Sequence, residues 1–314
     1  MSPSAARSAR ARAYSSIGNV GHGFDVFGLC VDAMFDEVDA SLSGGSLSLT
    51  MDVASEIRAW LDPLANTAGR AADALLRDCG IDAGASLHVR KGTRSGSGLG
   101  SSAASAAAAV VALDALFGLR LPRKRLTLYA AEGERAAAGA AHVDNVAAAI
   151  YGGFVIFSPD DPPQVFHVPS PPVRFVLALP EIEVKTSAAR AVVPKALDVS
   201  DYSRGAARAA ITAAALERGD VAGFARAVEG AFQETARASL IPGFNETCAA
   251  ARRAGALAAF MSGAGPAIAA VVDDPAKEGA VGDAMRAALA AVGVDSATFS
   301  AGVGPAAHLV EERA

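Results

Sequence analysis

A chain of 314 residues that is 52% hydrophobic and 19% charged has the length for two domains and the apolar content for a substantial core, which excludes a disordered protein. Its net charge of −5 argues against nucleic acid or an anionic membrane as the main partner, and residues 103–113, the longest apolar stretch, are too few to span a bilayer. Cys30, Cys79 and Cys248 are odd in number and have no C-x-x-C spacing, which fits a reducing cytoplasm and no zinc site.

In chain order, Arg7, Arg10 and Arg12 precede the first acidic residue, Asp25, and read as a short disordered tail rather than a transit peptide. Residues 13–60 mix small, apolar and polar types around Gly44-Gly45 and predict mostly strands. NTAGRAADALLRDCG, residues 66–80, has helical spacing, Asn66 at the N-cap position and a closing glycine. SLHVRKGT, residues 86–93, alternates like a strand. It runs into RSGSGLGSSAAS, where glycines and serines precede an alanine-rich helix expected over about 101–117, apolar nearly all round and therefore buried. Such a loop gathers unpaired N–H groups at a helix N-terminus and attracts anions, yet it lacks the lysine of a Walker A loop.

A second helix is expected over about 121–138 and a strand over 154–157. Six prolines between 159 and 172 mark a junction, which divides the chain into domains 1–165 and 166–314. Beyond it, residues 173–180 predict a buried strand, 203–235 two helices, 257–274 strand–turn–strand, 279–293 a helix, and DSATFSAGVG a closing strand. Strands and helices mix in both halves, so the fold class is α+β.

Three glycine motifs stand in fixed order: SSIGNVGHGFDVFGLCVD (15–32), SGSGLGSSAAS (95–105) and MSGAGPAIAAV (261–271). Together they resemble the signature motifs of the GHMP kinases. N-x-G-x-G-F-D-x-x-G, HVDNVAAAIYGGF (142–154) and SLIPGF (239–244) resemble that superfamily's homoserine kinase branch. Two positions depart from the pattern: His22, where proline is usual, and Arg94-Ser95, where the family often has proline and an aliphatic residue.

The resemblance implies a two-domain fold, with an N-terminal domain like ribosomal protein S5 domain 2 and a ferredoxin-like C-terminal domain. ATP, Mg²⁺ and an L-homoserine acceptor would meet at the junction, usually in a homodimer. It assigns Arg94, Ser95, Gly96, Ser97, Gly98, Leu99, Gly100, Ser101, Ser102, Ala103 and Ala104 to the phosphate loop, and Asn66 to the adenine. Lys91 is expected near the phosphates as an exposed charge with a secondary electrostatic role, and Ser102 and Glu134 on the metal side. Asn19 and Asp25 match the ammonium side of the acceptor pocket, Arg190 and Arg237 its carboxylate side. Thr186, Gly263 and His142 are expected to line that pocket. Asn145 is expected to hold the acceptor hydroxyl in line, with the adjacent Asp144 as an alternative base. A side chain at Gly98 is expected to crowd the phosphates without disturbing the fold.

Overall fold

Arg10 and Arg12 lie in a strand, not a tail; Arg7 lies outside the described residues. The computed structural model describes residues 8–53, 57–138, 143–160, 163–169 and 171–313. In β1 (Ser8–Gly18), Ala9, Ala11 and Ala13 face the core while Arg10 and Arg12 face out. Each arginine pairs with the residue directly opposite on β2 (Phe27–Ser43): Arg10 with Asp39 and Arg12 with Glu37. Cross-strand ion pairs of this kind hold register and contribute little stability.

The chain continues through β3 (Ser48–Val53), β4 (Ile57–Leu61), α1 (Thr67–Asp78), β5 (Gly84–Arg90), α2 (Ser101–Leu116), α3 (Arg123–Ala138), α4 (Val143–Tyr151), β6 (Phe154–Ser158) and β7 (Gln164–Val168). It then forms β8 (Arg174–Pro180), α5 (Thr186–Ala191), α6 (Val199–Arg218), α7 (Val221–Val228), α8 (Phe232–Arg237) and α9 (Phe244–Arg253). The last elements are β9 (Ala258–Met261), β10 (Ile268–Val272), α10 (Glu278–Ala290), β11 (Ser296–Ala301) and β12 (His308–Arg313).

Among the described residues the strands make two sheets. One has the order β12-β1-β2-β5-β3-β4, with β6 pairing β2 and β7 pairing β6; the other is the antiparallel β11-β8-β10-β9. The α+β class and the two-part fold are as the sequence implies. A division at 165/166 would cut β7, and β12 returns to the first sheet beside β1. We therefore propose the division after β7, with the C-terminal strand counted in the first part.

Three helices replace the two expected over 203–235. The left-handed Gly219 (φ 70°) ends α6, the Asp220 carboxylate caps α7, and Gly230 (φ 73°) separates α7 from α8. The alanine-rich α2 is buried along nearly its whole length, because small side chains let it pack against the sheet and α1 at once. A second apolar cluster joins the two halves: Ile17, Leu29, Leu99 and Phe154 from the first against Phe175, Phe224 and Phe260 from the second. Leu99 belongs to the glycine loop and is fully buried, which contributes about 2 kcal/mol and fastens the loop to this seam. No helix of the described residues is long and apolar enough to cross a membrane.

Candidate active site

The glycine loop runs from β5 to α2 along the seam. Gly96, Gly98 and Gly100 all take left-handed φ values, of 70°, 81° and 64°. Ser16 N–H donates to the Leu99 carbonyl, Ser262 Oγ to the Gly98 carbonyl at 2.7 Å, and Ala267 N–H to the Ser97 carbonyl. The first and third glycine motifs thus hold the second by its carbonyls. The first N–H groups of α2 have no intrahelical acceptor and Gly100 offers no side-chain cap, so they are available to an anion. A Cβ on Gly98 would lie 2.7 Å from Gly265 and 2.9 Å from the Ser262 carbonyl. A side chain there meets the third motif before it meets a phosphate, so the expectation of crowding without damage to the fold does not hold.

Lys91 is not an exposed charge. Its side chain is 18% exposed, it pairs with the fully buried Asp36, and it donates to the Ser101 carbonyl and Ser105 Oγ at 2.9 Å each. Asn66 caps α1, its Oδ1 accepting from Ala68 N–H at 2.9 Å and from Gly69 N–H, and it also lines the cavity.

Across the cavity, Asn19 and Asp25 both sit in the left-handed region, with φ of 54° and 57°. Non-glycine residues there carry a backbone cost that surrounding bonds must offset. Asn19 Oδ1 accepts from Asp25 N–H at 2.8 Å, and Asn19 N–H donates to Asp144 Oδ2 at 3.0 Å. Arg190, on α5, makes a bidentate pair with the Asp25 carboxylate at 2.9 and 3.0 Å. Arg237 is 2% exposed and donates to the Ala189 and Gly263 carbonyls. It therefore ties α5 to the third motif. Burial and then the nearby Arg190 push its pKa down to about 10, so it stays charged at neutral pH. Both guanidiniums lie over the Phe24 ring, 5.3 and 5.4 Å from its centre.

Between these halves lies α4. Ser16 Oγ donates to Asn145 Oδ1 at 3.0 Å, which leaves Asn145 Nδ2 as the amide group able to donate into the cavity. The Asp144 carboxylate, 1% exposed, is directed at the Asn19 backbone and does not line the cavity. Glu134, on α3, is 4% exposed and lines it. Its Oε1 has no hydrogen-bond partner among the described residues. Burial pushes its pKa up to about 7, opposed by a hydrogen bond from Ser102. A buried carboxyl oxygen without a partner, beside a hydroxyl, suits a hard divalent cation.

That shift predicts a pH dependence of the ligand-free protein. The native state holds the Glu134 proton more tightly than the unfolded chain, so stability is lost as pH rises from about 4.5 through 7. Glu134→Gln removes that loss. Urea unfolding at pH 5 and pH 8 should show the variant gaining on the parent by about 2 kcal/mol or slightly more between those pH values. Parallel pH profiles would refute the assignment.

One cavity of about 380 Å³ gathers most of the expected residues: Asn66, Lys91, the loop from Ser95 to Ser102 apart from Leu99, Glu134, Asn145, Asn19, Thr186, Arg190, Arg237 and Gly263. Arg94 is exposed and does not line it; the side chains of Leu99, Ala103 and Ala104 are buried in the core. Asp25 stands behind Arg190 rather than on the wall. Gly263 presents its carbonyl to Arg237, and its N–H donates to the Gly18 carbonyl. His142 lies outside the described residues. His22, the departure in the first motif, bonds the Glu229 carbonyl through Nε2 at 3.1 Å. Sequence reasoning missed Met51, Thr67 and Val184 on the wall and Asp36 behind it. No local pattern singles these residues out.

The family patterns described as GHMP kinases N terminal domain and GHMP kinases C terminal match residues 66–153 and 212–291. The chain is 37% identical to the homoserine kinase of Halorubrum lacusprofundi over 303 residues, 96% of this chain and 99% of that one. It is 37% identical to the homoserine kinase of Methanococcus maripaludis over 253 residues, 80% of this chain and 83% of that one. The crystal structure of homoserine kinase from Cytophaga hutchinsonii superposes with a TM-score of 0.91 at 33% identity, covering 99% of each chain.

Proposed function

This chain belongs to the GHMP kinase family, and from that premise we propose that it is a homoserine kinase, transferring the γ-phosphoryl group of ATP to the side-chain hydroxyl of L-homoserine to give O-phospho-L-homoserine and ADP. The observation that carries the reading is the single cavity in which the anion-seeking loop, the buried Glu134, Asn145 and two arginines converge.

The residue roles follow from the chemistry each position allows. The loop N–H groups and the α2 N-terminus hold the triphosphate; Asn66 stands where the adenine would lie. Glu134 and Ser102 would hold Mg²⁺, and the buried Glu134 oxygen without a partner fits that ion. When bound, Mg²⁺ neutralises charge on the phosphate oxygens. Arg190 takes the acceptor's carboxylate, Asp25 holds its guanidinium from behind instead of reaching the ammonium, and Arg237 fixes the helix that carries Arg190 and Thr186. Asn145 Nδ2 donates to the acceptor oxygen and holds it in line. A loose phosphoryl-transfer transition state asks little more than such alignment and charge neutralisation.

We further propose the step before threonine synthase as its place in metabolism, a homodimer as its assembly and the cytoplasm as its compartment. The three cysteines, free in this structure, support the last. ADP release measured with homoserine, mevalonate and galactose in parallel tests the function. Release with homoserine alone is expected. Release with mevalonate instead would make the chain a mevalonate-type kinase, and release with none a ligand sensor. Arg190→Met should raise the homoserine KM roughly thirtyfold, the worth of one charge-assisted hydrogen bond at a partly exposed site. The ATP KM should stay unchanged; an unaltered homoserine KM would move the carboxylate site elsewhere.

A further inference from the structure

Asp36 is fully buried, yet no motif includes it. It lies on β2 one residue before Glu37, whose partner Arg90 is the last of the β2–β5 ladder. Where the ladder stops, the Asp36 carboxylate takes over as the acceptor for the departing chain. Its Oδ1 accepts from Gly92 N–H at 3.0 Å and Thr93 N–H at 2.9 Å. Its Oδ2 accepts from Ser105 Oγ at 2.6 Å and from the Lys91 ammonium. Lys91 in turn reaches the Ser101 carbonyl, and Ser101 Oγ reaches the Thr93 carbonyl at 2.8 Å. The point where the loop leaves β5 and the point where it enters α2 are thus bound to each other and to one carboxylate.

Resting on the kinase reading above, we infer that Asp36 is the positioning residue of the phosphate loop: with Lys91 it clasps the two ends of the loop so that the intervening N–H groups converge on the triphosphate. A carboxylate is required because four donors, one of them a cation, meet at two oxygens. The clasp also gives Lys91 its role. Its charge is answered by Asp36, and its hydrogens are directed at Asp36, Ser101 and Ser105, so it serves the loop as a strut. The nucleotide's charge is then met chiefly by backbone dipoles and its counter-ion.

The test measures MgATP binding by calorimetry without acceptor, and steady-state KM and kcat with both substrates, on parent, Asp36→Asn and the double variant Asp36→Asn/Lys91→Met. Asparagine keeps the shape but turns an N–H₂ toward Lys91 and Ser105. Asp36→Asn should weaken MgATP binding at least tenfold and leave the homoserine KM unchanged. The double variant removes the uncompensated ammonium and should recover melting temperature, because a buried pair replaced as a unit is tolerated. Its ATP affinity should stay weak, since the clasp is still missing. Recovery of both together, or a loss confined to melting temperature, would overturn the inference by making the pair merely structural. A parent enzyme that fails to bind MgATP would instead sink the kinase reading itself.

Discussion

Gly98→Val is expected to weaken ATP binding by roughly 10²–10³-fold and to lower the melting temperature in the same variant. Valine at φ 81° is a β-branched residue in the left-handed region. That strain alone costs about 1–2 kcal/mol. Its Cβ would also meet the backbone of Gly265 and Ser262, at 2.7 and 2.9 Å, where no side chain can rotate aside. Forcing the loop from the third motif adds about 1–3 kcal/mol of overpacking and tilts the N–H groups away from a common centre. Gly96→Ala is the control. Gly96 has φ 70° but only the flexible Glu183 side chain nearby, with Cγ 3.4 Å from an added Cβ. It should keep its fold and lose no more than about tenfold in ATP affinity, the equivalent of the strain. Equal behaviour of the two variants in calorimetry and thermal melts would show that contact with the third motif is irrelevant to the loop.

Asn145→Ala should lower kcat by about 10²-fold, the scale of lost alignment, with smaller changes in either KM. Asp144→Asn should cost little. Its carboxylate is buried, is directed at the Asn19 backbone N–H at 3.0 Å, and an amide oxygen can accept the same bond. Asn145 by contrast lines the cavity, and the Ser16 hydroxyl fixes its amide. An asparagine cannot take up the hydroxyl proton, so this ranking belongs to positioning. A base at Asp144 would reverse it: kcat would fall about 10²–10⁴-fold in Asp144→Asn, and the acidic limb of the pH–rate profile would vanish. A folded Asp144→Asn enzyme that has lost both its activity and that limb would establish base catalysis.

Much of this site was legible in the sequence wherever the cause is local. The Asn66 cap involves residues two and three positions away, and α2 follows from an alanine run opened by a glycine. The loop can take its tight path because alternate glycines allow positive φ. The three motifs together were enough to suggest the family, because each is a short segment whose chemistry depends on its own order of residues.

What tertiary structure alone decided is who meets whom at long range. Lys91 reads as a solvated charge at a strand end until Asp36, 55 residues earlier, is brought beneath it. Arg190 and Asp25 pair across 165 residues, and Ser16 orients Asn145 across 129. The short β12 carries mostly exposed residues and had no signal until β1 offered an edge with Arg10 near Glu311. By sequence Gly98 reads as space for phosphate, whereas the limit is set by Gly265 across the seam. Periodicity and capping report how a segment arranges its own backbone and which face it buries. The partner of that face depends on how the two sheets and their helices pack, a property of the whole chain.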